Sequence, residues 1–248
     1  MRILIANPNT TEAVTRRLVE TAAPAVAAGT ELVGATAPRG VPYIASRAEA
    51  QIGGAVLLEM LCERIGTFDA AVVAAFGDPG LGGARELLDV PVVGLAEAAM
   101  ASALMLGRRF AVVTFAVALE AWYAETIEAY ALATRSAGVF CADRPFTDLE
   151  GVREEMADHL VALAGRAVAA GADTVILGGA PLAGLAARVH DRIPVPAVDP
   201  VVAAVKQAEA LVALGVRKPV AGTFRRPPPK RSTGLADALA RRIGENAP

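Results

Sequence analysis

Short apolar runs of strand length alternate with amphipathic helical stretches along this chain, and the alternation occurs twice. The runs lie at 2–6, 31–35, 70–76, 90–95, 109–115, 137–141, 173–179 and 195–199. Because several of them are apolar on both faces, they are typical of buried parallel strands, and the intervening helices complete βαβ units. The pattern therefore predicts two similar α/β lobes that are related by an ancient duplication.

The predicted lobes do not follow a single cut in the chain. We assign residues 1–96 plus 203–248 to the first lobe and residues 97–202 to the second. Three consecutive prolines at 227–229 predict an extended strip in the tail, and a last helix is predicted over about 233–243. The basic residues beside the prolines, Arg225, Arg226, Lys230 and Arg231, are predicted to be solvated.

Composition excludes several classes of function. The formal net charge of −2 and the aromatic content of 4% do not favour a nucleic-acid partner. No apolar run approaches the ~20 residues that a membrane helix needs, and no export signal precedes the first strand, so we expect a cytoplasmic protein without a membrane partner. Cys62 and Cys141 have no metal-ligand spacing, so we expect no metal site.

Ligands of parallel sheets bind at the carboxyl ends of the strands, so the loops at that edge are the candidate binding elements. Asn7 and Asn9 follow the first run, where Asn9 and Glu12 resemble a capping box and the helix start exposes backbone N–H groups. Thr114 and Phe115 end the fifth run, where the Thr114 hydroxyl and the backbone amides of Phe115 and Ala116 offer a matching anion seat. Each of these positions is also compatible with plain helix capping.

Two further corners turn on glycine and proline. In "AAFGDPGL" (74–81), Asp78 followed by a proline is typical of a helix N-cap, and a role as general base or substrate contact is the alternative. In "GGAPLAG" (178–184), the glycines allow a ligand to approach the backbone, but the Walker and GxGxxG spacings are missing. The loop 39–51 is a candidate lid in which Tyr43 offers a hydroxyl. Arg47 is a candidate carboxylate clamp, and the alternative is that it pairs with Glu49 or with solvent.

These segments together resemble a known family. The matching stretches are "ILIANPNTT" (3–11), "AAFGDPGLGGARELLDVPVVGLAEAA" (74–99), "FAVVT" (110–114), "VILGGAPLAGL" (175–185), "VDPVVAAVKQAEALV" (198–212) and "PPPKRSTGL" (227–235). The chain resembles the aspartate/glutamate/hydantoin racemase superfamily, specifically its hydantoin and allantoin racemase-like branch. The resemblance implies an α/β fold of two pseudosymmetric flavodoxin-like lobes, each with a mostly parallel sheet, and a ligand cleft between them.

The resemblance also implies cofactor-independent chemistry in which one cysteine from each lobe flanks the substrate carbon. One thiolate removes the α-proton and the opposite thiol returns it from the other face. In this sequence the two cysteine positions hold Ala75 and Gly179, so the two-thiol mechanism is excluded. Cys62 and Cys141 lie outside the matching corners, and we expect both to be inert packing residues.

The sequence leaves the function open between two classes. The first is an isomerase-type enzyme acting at the acidic carbon of a small carboxylate, hydantoin or ureide, with Asp78 or Tyr43 as the base; a lyase or decarboxylase is a variant of it. The second is a binding protein without turnover. In either case we expect a homo-oligomer whose ligand contacts are Asn7, Asn9, Arg47, Ala75, Phe76, Thr114, Phe115, Gly179, Ala180 and Pro181.

Overall fold

The computed structural model describes residues 1–245 and contains two four-stranded sheets. The strands are β1 (Arg2–Asn7), β2 (Glu31–Thr36), β3 (Ala70–Val73), β4 (Val92–Gly94), β5 (Phe110–Thr114), β6 (Ser136–Cys141), β7 (Thr174–Leu177) and β8 (Ala197–Val198). The first sheet has the order β2-β1-β3-β4 and the second β6-β5-β7-β8, and every pairing is parallel. The predicted fold class of two similar α/β lobes is confirmed.

Helices cover the sheets and connect their strands. They are α1 (Glu12–Ala22), α2 (Arg47–Cys62), α3 (Leu81–Leu87), α4 (Leu95–Leu106), α5 (Glu120–Ala129), α6 (Val152–Glu155), α7 (Ala157–Ala169), α8 (Leu185–Val189), α9 (Pro200–Ala213) and α10 (Asp237–Gly244). Among residues 1–245, no helix has the length and apolar character to cross a membrane.

Two helices exchange between the lobes. Helix α4 leaves the first sheet and packs against β7 of the second, while α9 leaves the second sheet and packs against β3 of the first. The two helices also pack against each other, and the residues that they bury are mostly alanines, which permit a close approach. The larger apolar core therefore contains residues of both lobes, and a second cluster belongs to the first lobe.

The tail differs from the sequence prediction in two respects. The last helix begins at Asp237 rather than near 233, and the side chain of Arg226 is buried rather than solvated. Arg226 and Arg242 both donate to the carboxylate of Asp89, at 2.7 and 2.6 Å. Lys218 donates to the backbone carbonyls of residues 85 and 86 at the end of α3. These contacts attach the tail to the first lobe, whose predicted range also includes residues 246–248, outside the described part.

Candidate active site

The corners that follow β3 and β7 meet at the boundary between the lobes. Phe76 belongs to the first corner, and a Cβ atom at Gly178 in the second would lie 3.4 Å from two carbons of the Phe76 ring. Ala75 and Gly179 are the immediate neighbours of these two contacting residues, and Ala75 is buried. The structure therefore brings together the two positions at which the resemblance places proton-carrying cysteines.

Position 179 has no room for a side chain. Gly179 has φ +125° and ψ 125°, a conformation that residues with a Cβ rarely adopt. A Cβ atom there would lie 2.8 Å from Cε1 of Phe115, closer than nonbonded carbon atoms approach each other. The ring of Phe115 thus takes the space that a second acid/base side chain needs.

Aromatic side chains are concentrated around these corners. We call Tyr43, Phe76, Phe115, Trp122, Tyr123 and Phe146 the aromatic cluster; it holds six of the eleven Phe, Tyr and Trp residues in the chain. The Phe115 ring lies 5.6 Å from that of Tyr43 and 5.3 Å from that of Phe146. The Phe76 and Tyr123 rings are 4.7 Å apart. The cluster offers flat apolar surfaces and few polar groups.

The polar groups of the cluster are hydroxyls. Within residues 1–245, the buried hydroxyl of Tyr43 has no hydrogen-bond partner. The buried hydroxyl of Thr114 has no partner at an ordinary hydrogen-bond distance and angle, but its contact with the Tyr123 phenol partly offsets the rise in the pKa of Tyr123 that burial causes. Burial, followed by the charge of Glu49, raises the pKa of Tyr43. Burial also raises the pKa of Tyr123. Both phenols are therefore neutral hydrogen-bond donors at physiological pH rather than bases.

Asp78 is bonded on both carboxylate oxygens. Oδ1 accepts from the backbone N–H of Ala96 at 2.9 Å, while Oδ2 accepts from that of Glu97 at 2.9 Å and from the Tyr130 hydroxyl at 2.7 Å. Burial raises the pKa of Asp78 to about 6, and the three hydrogen bonds oppose that rise. A Cβ atom at Gly94 would overlap this carboxylate, so the fold is shaped around it.

The predicted cap at Asp78 is wrong for the helix that follows it. Helix α3 begins at Leu81 with Gly80, at φ +80°, in the N-cap position, while Asp78 itself has φ +52°. The Asp78 carboxylate instead binds the first-turn amides of α4, eighteen residues further along the chain. The start of α4 binds the Asp78 side chain in place of the start of α3. The local Asp-Pro pattern does not indicate a partner so far along the chain.

Asn7 and Asn9 are bonded to each other and to the start of α1. The amide nitrogen of Asn7 donates to Asn9 Oδ1 at 2.9 Å and to Thr15 Oγ1 at 3.0 Å. Asn9 Oδ1 also accepts from the backbone N–H of Thr11, which occupies the N-cap position of the helix beginning at Glu12. The predicted capping box at Asn9 is therefore wrong, because Asn9 forms a turn with Thr11 just before the helix begins. The side-chain amide of Asn7 is used in hydrogen bonds within the protein.

Arg47 lies at the start of α2 and pairs with Glu125 of α5. Its Nε donates to Glu125 Oε2 at 2.7 Å, and its Nη2 also contacts that carboxylate. Both side chains are more than half exposed. The pair lines a cavity of about 470 Å³ between α2, α3 and α5, to which Gly77, Asp78 and Trp122 also contribute. Arg47 is thus a surface ion pair at the mouth of this cavity, with Glu125 in place of the partners expected from the sequence.

Ala180 and Pro181 are buried in a single 3₁₀ turn after Gly179. The Pro181 carbonyl accepts from Arg17 of α1 at 2.9 Å, a contact that the sequence did not indicate. The sequence likewise does not indicate the contact between Tyr130 and Asp78, since the two residues lie 52 positions apart. Among residues 1–245, no group of three or more His, Cys, Asp or Glu side chains is arranged to hold a metal ion.

The two cysteines lie outside these corners. Burial raises the pKa of Cys62 to about 11, and burial with the nearby charge of Glu120 raises that of Cys141 to about 12. A thiol with such a pKa is protonated at neutral pH, so neither supplies a ready thiolate.

Comparison with known proteins places this site in a family. The model for Asp/Glu/hydantoin racemases matches residues 3–208. The hydantoin racemase of Paenarthrobacter aurescens is 32% identical over 234 residues, which cover 93% of this chain and 99% of that protein. The structure of an allantoin racemase from Klebsiella pneumoniae superposes with a TM-score of 0.89 at 34% identity, covering 96% of this chain and 98% of its own.

An allantoin racemase from Pseudomonas fluorescens gives a similar result, with a TM-score of 0.87 at 32% identity and coverage of 94% of this chain and 100% of its own. The likeness extends through both lobes and includes the corners that contain Ala75 and Gly179. The chain belongs to the Asp/Glu/hydantoin racemase family.

Proposed function

We propose that this protein binds a small cyclic ureide, or a related small carboxylate, between its lobes and does not racemise it by exchange between two thiols. Family membership supports the class of ligand, because the similar proteins are named as racemases of hydantoins and of allantoin. The absence of a proton carrier at both inherited positions supports the second part. Ala75 carries a methyl group, and Gly179 carries no side chain at all.

The observation that carries this proposal is the position of Phe115. Its ring fills the space of a side chain at residue 179, so one face of the inherited site presents carbon rather than sulfur. Within residues 1–245, the buried hydroxyl of Tyr43 has no protein partner, and the buried hydroxyl of Thr114 has only the Tyr123 phenol beside it. A ring with carbonyl oxygens would satisfy such donors, and its flat faces would pack against the aromatic cluster.

A second candidate function is supported by Asp78. This carboxyl group borders the 470 Å³ cavity, and burial brings its pKa to about 6, a value suited to a general base near neutral pH. A single base on one face can exchange a proton or protonate an enolate left by decarboxylation. The three hydrogen bonds to the carboxylate favour a structural role, and for that reason we place binding first.

Isothermal titration calorimetry with 5-methylhydantoin, allantoin and aspartate tests the proposed ligand class. We expect saturable binding of at least one of the two ureides, and binding about tenfold weaker in the variant Thr114→Val, which keeps the shape of the side chain and removes the hydroxyl. A variant of an exposed residue, Thr67→Val, serves as the matched control. Wild-type protein that binds none of the three compounds contradicts the proposal.

A further inference from the structure

The helix that follows the first strand of one lobe reaches the corner of the other lobe, and this occurs in both directions. Helix α1 follows β1 and packs on the first sheet, while α5 follows β5 and packs on the second. The side chain of Arg17 in α1 contacts the second-lobe corner. The side chain of Tyr130, which directly follows α5, contacts the first-lobe corner. Each lobe is therefore joined to the corner of the other lobe by a side chain from the region of the helix that follows its own first strand.

Arg17 binds three backbone carbonyls of the second lobe. Its Nη1 donates to the carbonyl oxygens of Pro181 at 2.9 Å and Leu149 at 3.3 Å, and its Nη2 donates to that of Glu150 at 2.5 Å. Pro181 lies two residues after Gly179, within the turn that forms the second wall of the site. Because a guanidinium presents its donors in a fixed plane, this contact fixes both the distance and the orientation of that wall.

Tyr130 makes the contact in the opposite direction, from the second lobe to the first-lobe corner. Its hydroxyl donates at 2.7 Å to Oδ2 of Asp78, which lies three residues after Ala75. Its ring packs against the apolar cluster of the first sheet. The exposed ion pair of Arg47 with Glu125 lies beside it and also joins α2 to α5. An exposed ion pair contributes little to stability. The hydrogen bond from Tyr130 to the buried carboxylate of Asp78 is therefore the stronger link between the lobes.

We infer that Arg17 and Tyr130 are positioning residues that hold the two lobes closed over the site between Ala75 and Gly179. Separating the lobes breaks both contacts, and each break leaves polar groups of a corner without their partner. Loss of either contact therefore raises the population of an open state in which both corners are exposed. A role limited to local packing would disturb only the corner that the residue touches.

Amide hydrogen exchange of the full chain, followed by mass spectrometry, distinguishes these two roles. The variants are Tyr130→Phe, which removes one hydroxyl, and Arg17→Ala, with Arg16→Ala as the control because it removes the same charge from an exposed neighbour on α1. We expect exchange about fivefold faster at both 75–80 and 178–184 in Tyr130→Phe, as the loss of one hydrogen bond implies, and an acceleration at least as large in Arg17→Ala, which loses three. Exchange in β1 and β5 reports unfolding of the whole chain, in which the same contact is also lost, so it should accelerate by no more than the same factor and remain much slower than exchange at the two corners.

The result that overturns the inference is faster exchange confined to the corner next to each substitution, or no change at either corner. If Arg17→Ala does not fold, Arg17→Lys keeps the charge and loses the planar donors, and the same comparison applies. The measurement needs no ligand. Failure of 5-methylhydantoin, allantoin and aspartate to bind would therefore contradict the proposed function and leave this inference intact.

Discussion

A single methyl group added at position 179 measures how completely Phe115 occupies the space of the missing acid/base side chain. In Gly179→Ala, two costs add. Holding a residue with a Cβ at φ +125° costs about 1–3 kcal/mol, and forcing a carbon within 2.8 Å of the Phe115 ring costs about 1–3 kcal/mol more. We expect the free energy of unfolding to fall by about 2–6 kcal/mol, a large part of the stability of an ordinary domain.

A second glycine separates the two costs. Gly40 has φ +124°, almost the same as Gly179, yet a Cβ atom there would meet nothing within 4 Å in the described chain. Gly40→Ala therefore carries the backbone strain without the overlap, and we expect it to lower the free energy of unfolding by about 1–3 kcal/mol. The difference between the two alanine variants is the contribution of the contact with Phe115.

The assay is urea unfolding followed by circular dichroism for the wild type, Gly179→Ala, Gly40→Ala, Phe115→Ala and the double variant of residues 115 and 179. In the Phe115→Ala background, the methyl group at 179 should cost about 1–3 kcal/mol less than in the wild type, because the ring has gone. If Gly179→Ala costs no more than Gly40→Ala, or if the coupling with residue 115 is zero, Phe115 does not fill the site. The same reasoning implies that cysteines restored at 75 and 179 need Phe115→Ala beside them to act.

Three further predictions concern stability. Tyr43→Phe removes a buried hydroxyl without a described protein partner, so thermal unfolding should show no loss of stability and a gain of up to about 1 kcal/mol; a clear loss would reveal a bond that the structure lacks. The folded-state pKa of Asp78, about 6, lies above the value of 3.8 for an unperturbed carboxyl, so the wild type should gain stability relative to Asp78→Asn as pH falls from 7 to 4 in urea melts, and a constant difference would contradict this. Lys218→Ala should cost about 1 kcal/mol and the exposed Arg217→Ala almost nothing, by the same melts.

The fold was largely accessible from the sequence because strand formation here depends on local patterns. Each of the predicted apolar runs overlaps one of the observed strands, although β3 and β7 end at Val73 and Leu177, before the corners that the runs included. Apolar residues on both faces of a short run leave few alternatives to a buried parallel strand. The corner residues continue the apolar character for a different reason, since they pack between the lobes rather than within a sheet.

The site was less accessible because its important contacts join residues far apart in the chain. The Asp-Pro pair suggested a local cap, whereas Asp78 binds α4 and Tyr130, and the partner of Arg47 is Glu125 rather than a neighbour. Phe115 was predicted as a ligand contact from its place after β5, and no sequence pattern indicates that its ring faces Gly179. Such pairings depend on how two lobes dock, which local periodicity does not encode.

The central claim is that the site between the lobes retains its ligand contacts but has no proton-carrying side chain at either residue 75 or residue 179. Its most direct test is proton NMR of one enantiomer of 5-methylhydantoin in D2O with the wild-type protein, at ligand concentrations shown to saturate it. We predict that the C5 proton signal and the optical rotation decay at the rate of the buffer alone. Loss of that signal in proportion to protein concentration would contradict the claim. It would indicate that a base such as Asp78 removes the C5 proton.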